Sequence, residues 1–273
     1  MRSFLLNLLI FFSLSITLQG CESLNKSKSD EYSDLSPKDL HDKAKSAMDA
    51  ENYQKAIKLY ETLEARYPFG EYAAQTQLNI AYAYYKNDDP ETAIAATDRF
   101  IKIHPRHPSI DYAYYLKGLI NFNRSIGFLE RFLPTDASQR NPTNVKEAFS
   151  NFELLVRRFP DSKYAPDAKQ RMISLRNNLA MYEVHVARFY LKRKAYIAAA
   201  NRGSYVIKEF QRTPAVPYAL QVMEQAYSKM GMQVLAADAK RVYEQNYPDG
   251  PPVAEYTGTT FLHQTWSLFG FDQ

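Results

Sequence analysis

Residues 37–248 carry apolar side chains at intervals of three and four, the period of one face of an α-helix. Leu40, Ala44 and Ala47 begin the pattern, directly after a serine, a proline and an acidic residue in the order typical of a helix start. Strand-like alternation is missing from the sequence, and most prolines fall between the periodic stretches, where they end one helix and permit a turn. The pattern predicts an all-α fold.

A repeat is visible in the positions of small residues and prolines. Five predicted helices end at or shortly before a proline and carry an alanine upstream of it. These alanines are Ala56, Ala93, Ala148, Ala199 and Ala236. They lie 37, 55, 51 and 37 residues apart. The short spacing is close to the ~34-residue period of tetratricopeptide repeats, and the long spacings fit that period with an insertion. The sequence predicts a right-handed α-solenoid of about five tetratricopeptide-like helix pairs, with Gly118 as the small packing residue of the third pair.

Three segments depart from the repeat. Residues 125–143 predict an apolar loop, and residues 164–194 predict either one long helix or two short ones. Residues 249–273 form a tail that is too aromatic for a plain disordered end. Its aromatic residues are Tyr256, Phe261, Trp266, Phe269 and Phe271. We expect this tail to dock on the solenoid or on a partner.

Residues 1–20 have the features of a secretion signal. An apolar run from Phe4 to Leu18 suits the core of a signal peptide and is short for a membrane span. The run ends in Leu18-Gln19-Gly20-Cys21, which resembles the lipobox of bacterial lipoproteins. An ordinary signal peptide with a coincidental cysteine is the alternative. Residues 21–36 are polar without an apolar period, which predicts a flexible tether.

The lipobox resemblance implies a covalent lipid on Cys21, an N-acyl group and an S-diacylglycerol. The sequence motifs indicate no other cofactor. Glu22 stands where an aspartate would imply retention in the inner membrane of many diderm bacteria. The resemblance therefore implies attachment to the outer membrane, on its periplasmic side. Because Cys21 is the only cysteine, an intramolecular disulfide is excluded.

Composition and motifs argue against several classes of function. The formal net charge of +4, with both signs interspersed, does not indicate a nucleic-acid-binding protein. The sequence has no nucleophile elbow, zinc-protease helix or phosphate-binding glycine loop. His104 and His107 lack neighbouring acidic or thiolate ligands, so a solvated turn is favoured over a metal site. We predict a binding scaffold with no catalytic and no metal-binding residues.

The first helices of the second and third pairs carry a second aromatic stripe, beyond the one used for packing. Its residues lie at helical spacings that place them on one face. They are Tyr82, Tyr85, Tyr112, Tyr115, Leu119 and Phe122. Each ring alone fits the core between repeats as well as it fits a binding surface. Together they predict a groove for an extended apolar or aromatic-bearing peptide, because tyrosine offers rigid area with a polar edge.

Several motifs narrow the class of protein further. They are Tyr67-Pro68-Phe69-Gly70, Ala81-Tyr82-Ala83-Tyr84-Tyr85-Lys86, Asp98-Arg99-Phe100-Ile101, Lys117-Gly118-Leu119 and Asn201-Arg202. With these motifs the chain resembles the BamD family, the lipoprotein subunit of the machinery that assembles outer-membrane β-barrels. The resemblance covers roughly residues 36–248, and the aromatic tail lies outside the family's pattern.

This resemblance implies a periplasmic adaptor on the inner leaflet of the outer membrane. Its C-terminal repeats would hold the barrel-forming core subunit, beside the accessory lipoproteins, and its N-terminal groove would face unfolded outer-membrane proteins. Arg202 would pair with a carboxylate of the core subunit, since a guanidinium can hold a carboxylate through two parallel hydrogen bonds. A solvent-facing charge, or an intramolecular pair with Glu183 or Glu209, is the alternative for Arg202.

Two rival functions come from other classes of protein. A tetratricopeptide lipoprotein that serves cell-wall synthesis or division would co-purify with murein enzymes instead of the barrel machinery. A lipid-anchored enzyme would need a pocket with coupled acidic or histidine side chains, and the motifs do not indicate one.

The lipid assignment predicts that Cys21→Ser, under the same signal, abolishes acylation and releases the protein from the membrane, because serine lacks the thiol that receives the lipid. Incorporation of labelled palmitate measures this directly. Labelling of the serine variant at the wild-type level would contradict the assignment.

Overall fold

The computed structural model of the protein describes residues 32, 34–124, 136, 138 and 142–252. This part of the chain contains ten α-helices and no β-strand, which confirms the predicted all-α fold of five tetratricopeptide-like helix pairs. The described residues up to Ala73 form one compact unit, and those from Ala74 onward form a second.

The first unit contains α1 (Pro37–Asp49) and α2 (Tyr53–Arg66), which pack against each other. The predicted helix start is confirmed at Ser36, whose Oγ accepts a hydrogen bond from the backbone N–H of Asp39 at 3.2 Å. Pro37 takes the first helical position, where its missing N–H costs nothing. Leu40 of α1 is completely buried.

The second unit contains the remaining eight described helices. They are α3 (Ala73–Lys86), α4 (Pro90–Ile103), α5 (Ile110–Arg124), α6 (Pro142–Arg158), α7 (Ala165–Lys192), α8 (Tyr196–Glu209), α9 (Val216–Lys229) and α10 (Gln233–Asn246). From α4 onward each helix packs on the next one along the chain. The open question about residues 164–194 is answered by α7, a single helix of 28 residues. The predicted loop over residues 125–143 lies mostly outside the described residues, and its last two residues belong to α6.

Small residues occupy the contacts between helices, as predicted. The repeat alanines of the first four pairs have no exposed surface, and Ala236 of the last pair is 7% exposed. A side chain added at Gly118 of α5 would collide with the ring of Phe152 on α6. The glycine therefore allows the closest approach between these two helices, and the fully buried Phe152 fills the space that it leaves.

The long helix α7 contributes to successive parts of the core. Its N-terminal half adds Leu175 to a cluster around Phe100 of α4 and Phe152 of α6. Its C-terminal half places Val184 and Ala187 against α8 and α9. The third pair is thereby joined to the last two pairs by one continuous helix.

Candidate functional site

All six residues of the predicted groove lie on α3 and α5, and each is partly buried. The structure adds a seventh residue, Tyr164, which immediately precedes α7. We call the seven residues the aromatic cluster. They are Tyr82, Tyr85, Tyr112, Tyr115, Leu119, Phe122 and Tyr164.

The α3 side of the cluster is a pair of tyrosines one helical turn apart. The ring centroids of Tyr82 and Tyr85 lie 6.2 Å apart and the rings are tilted by 52°. The hydroxyl of Tyr85 accepts a hydrogen bond from the side-chain amide of Asn123, near the end of α5. This bond connects the two helices and fixes the position of the Tyr85 ring.

Tyr164 joins α5 to the start of α7 through ring contacts. Its ring stacks on Tyr115 with centroids 4.8 Å apart and an interplanar angle of 15°. It is tilted by 45° against Tyr112 at 5.3 Å. Offset and tilted ring pairs of this kind contribute ~0.5–1.5 kcal/mol beyond the area that they bury. The three rings therefore form a rigid aromatic surface.

A polar network surrounds this surface. The Tyr115 hydroxyl donates a hydrogen bond to Oδ2 of Asp167 at 2.6 Å, and Nε of Arg171 donates to the same oxygen at 2.6 Å. The Arg171 guanidinium also lies over the ring of Phe122, 4.9 Å from its centroid. Asp167 and Arg171 are one turn apart on α7, so this helix holds two rings of α5 in place through one ion pair.

The protonation equilibria follow from this network. Burial and the hydrogen bond to Asp167 raise the pKa of Tyr115 to about 12. Burial, followed by the nearby Tyr82 and Tyr164 hydroxyls, raises the pKa of Tyr112 above its ordinary range. For Asp167, burial alone would raise the pKa, but the hydrogen bonds from Arg171 and Tyr115 outweigh it and lower the pKa. All three residues therefore keep their ordinary charge at neutral pH.

The back of the cluster rests on the core. The ring of Phe152 lies 6.0 Å from Tyr115 and 6.5 Å from Phe122. Every cluster residue remains partly exposed, so its use as a binding surface stays a prediction. Each of these residues is partly packed against its neighbours and partly accessible at the surface.

Sequence reasoning missed four contributors to this site: Asn123, Tyr164, Asp167 and Arg171. Tyr115 and Asp167 are 52 residues apart, and no spacing rule connects positions so distant. The only local signal was an aromatic residue at the start of a helix, just before Pro166.

Arg202 makes the intramolecular contact that the sequence left as an alternative. Its guanidinium donates a hydrogen bond to Oε2 of Glu183 on α7 at 2.8 Å, and this bond raises the pKa of Arg202. The Glu183 side chain is only 10% exposed, whereas that of Arg202 is 44% exposed. Loss of the guanidinium would leave a nearly buried carboxylate without this partner and would lower the free energy of unfolding by ~1–3 kcal/mol. Charge reversal at Arg202 therefore perturbs the fold as well as any interface, and a contact with another protein stays a prediction.

The remaining sequence candidates have structural contacts or lie outside the described residues. Nε2 of His104 is hydrogen-bonded to Oε1 of Gln77 at 3.0 Å, and the His104 ring packs against Phe100. Among the described residues, no helix is long and apolar enough to cross a bilayer. Cys21 and the tail from residue 253 lie outside the described residues.

Comparison with known proteins assigns the family. Residues 33–242 match the YfiO family, described as an outer membrane lipoprotein family. The chain belongs to this family. It is 43% identical to the outer membrane protein assembly factor BamD of Neisseria meningitidis serogroup B over 261 aligned residues. The aligned region covers 95% of this chain and 94% of that protein.

More distant relatives of the YfiO family carry the same name. The chain is 37% identical over 229 residues to the outer membrane protein assembly factor BamD of Vibrio cholerae, covering 84% of this chain and 93% of that protein. It is 35% identical over 244 residues to the BamD protein of Xylella fastidiosa, and the aligned region covers 89% of this chain and 83% of that protein. The resemblance to the BamD family is confirmed.

The polar network predicts that Tyr115→Phe raises the pKa of Asp167, because the carboxylate loses one of its two hydrogen bonds while the ring stays in place. A carboxyl group with a depressed pKa stabilises the fold above its unfolded-state pKa of ~3.9, and this stability is lost as the pH falls through the folded-state value. The variant should therefore lose less stability on acidification than the wild type.

Carboxyl NMR titration measures the pKa, and acid unfolding measures the stability. Tyr112→Phe is the matched control, since it removes a hydroxyl from the same cluster without removing a donor to Asp167. An Asp167 pKa that does not move in Tyr115→Phe would show that the hydrogen bond has no role.

Proposed function

We propose that the protein is a lipid-anchored outer-membrane lipoprotein that takes part in the assembly of outer-membrane proteins, as a binding protein and not as an enzyme. Membership of the YfiO family and the names of its relatives support this proposal. The lipid would be carried by Cys21, and the helical repeats would lie on the periplasmic side of the outer membrane.

In this proposal the aromatic cluster binds unfolded outer-membrane proteins. The observation that carries it is the stack of Tyr112, Tyr115 and Tyr164, whose rings are held in place by contacts with α6 and α7 yet remain partly exposed. A preformed aromatic surface loses little side-chain entropy when a ligand binds.

The chemistry of the cluster favours segments that carry aromatic side chains. Aromatic rings of the ligand can stack on the partly exposed tyrosines, and backbone amides of the ligand can form hydrogen bonds with the tyrosine hydroxyl groups. Outer-membrane barrels carry a girdle of aromatic residues at each membrane interface. The strands of an unfolded barrel protein are therefore segments that contain aromatic side chains. Part of Arg171 is also accessible and provides a cation beside the rings.

The C-terminal repeats would hold the barrel-forming core subunit and the accessory lipoproteins. What supports this is their exposed apolar and charged surface, which includes the exposed part of Arg202. Arg202 would use the donors that do not face Glu183 for an acidic group of the core subunit.

The groove proposal predicts that the double variant Tyr82→Ala, Tyr85→Ala binds a peptide with an aromatic C-terminus more weakly, by ~1–3 kcal/mol in total, if each ring is a moderate interface anchor. Isothermal titration calorimetry with the wild type and the variant measures this. Circular dichroism should show unchanged helicity, because both rings are partly exposed.

A matched control is the pair Tyr243 and Tyr247 at the end of α10, whose centroids lie 5.9 Å apart. Truncating both should leave peptide affinity unchanged. Equal losses from the two double variants would refute a specific groove, and a loss of helicity in the cluster variant would show that its rings serve the core alone.

A further inference from the structure

The second helices of the last two pairs carry large apolar side chains that point to solvent. On α8, Ile197 is 68% exposed and Tyr205 is 44% exposed. On α10, Val234 is 76% exposed and Val242 is 40% exposed. We call these four residues the C-terminal apolar stripe. Singly scattered exposed apolar side chains are ordinary, but a set that recurs at the same register position in successive repeats is a candidate binding surface.

The stripe follows the repeat. In each helix one member lies two residues before the buried repeat alanine, and the other lies six residues after it. Residues eight apart fall within one apolar face of a helix. The corresponding residues of the earlier second helices are mostly polar: Gln54 and Thr62 in α2, Glu91 and Arg99 in α4, and Lys146 and Leu154 in α6. The stripe is therefore confined to the end of the chain and is not required by the repeat fold.

The position of the chain end indicates what covers the stripe. The last described residue, Pro252, accepts a hydrogen bond through its carbonyl oxygen from the Tyr218 hydroxyl at 3.4 Å. Tyr218 is in the first turn of α9, which packs against both α8 and α10. The start of α9 contacts Val206, near the end of α8. The described part of the chain therefore ends beside the C-terminal ends of α8 and α10.

The length and composition of residues 253–273 suit the stripe. On α10 the stripe extends over eight residues, or about 12 Å, whereas 21 residues of extended chain span up to ~70 Å. The segment contains five aromatic residues and no lysine or arginine. Because it is tethered beside the stripe, its effective concentration is on the order of millimolar, well above that of a free partner of similar affinity.

We propose that residues 253–273 of the aromatic tail dock in cis on the C-terminal apolar stripe. Its rings cover the aliphatic side chains of α8 and α10, and any partner that uses this surface must displace the tail first.

The single tryptophan of the chain, Trp266, lies in the tail and reports its position. In the purified full chain, we expect Trp266 to emit at shorter wavelength, and to be less accessible to acrylamide, than in a synthetic peptide of residues 253–273. The variants Ile197→Asp and Val234→Asp should each lower the docking equilibrium constant about ten-fold, the loss expected when one aliphatic side chain is no longer buried. The emission and acrylamide accessibility of Trp266 should then shift towards those of the peptide.

Ile173→Asp is the matched control, because Ile173 is 56% exposed on α7 and outside the stripe. It should leave the emission unchanged, and circular dichroism should be the same for all variants. Three results would overturn the proposal: a wild-type Trp266 as accessible as the peptide, an emission shift that depends on protein concentration and so indicates a second copy, or a shift abolished by Tyr82→Ala but not by the stripe variants.

Discussion

Close approach of helices at small residues is the constraint on which the rest of the structure depends. The repeat alanines of the first four pairs have no exposed surface, and Gly118 has no room for even a methyl group beside Phe152. Such contacts fix which face of each helix is buried, because a larger side chain would force the helices apart. The faces that remain are then available for binding, and on α3 and α5 they carry aromatic rings.

The aromatic cluster shows how one fold can order an aromatic surface without enclosing it. Phe152 supports Tyr115 and Phe122 from behind, while Asp167 and Arg171 of α7 hold them from the side. The rings are therefore held in defined positions by the fold itself. In the proposed function this rigidity matters because an unfolded substrate already loses much entropy on binding, and a flexible receptor would add to that loss.

The sequence predicted the features that depend on local pattern. The structure confirms the helical period, the cap at Ser36 and the burial of the repeat alanines. Each of these features depends on neighbours within a few residues. Contacts between distant positions were not predictable. Tyr164 and Asp167 reach Tyr115 through side-chain contacts between α5 and the start of α7. The pairing of Arg202 with Glu183 depends on the packing of α8 on α7. The length of α7 was undecided because an unbroken apolar period fits one helix or two.

The claim that the aromatic cluster contacts unfolded outer-membrane proteins is tested most directly by site-specific photocross-linking in living cells. A photoreactive amino acid placed at Tyr82 should cross-link to outer-membrane proteins during their assembly, whereas the same group at Tyr243 should not. Equal cross-linking from both positions, or none from Tyr82 in a protein that still supports assembly, would contradict the account.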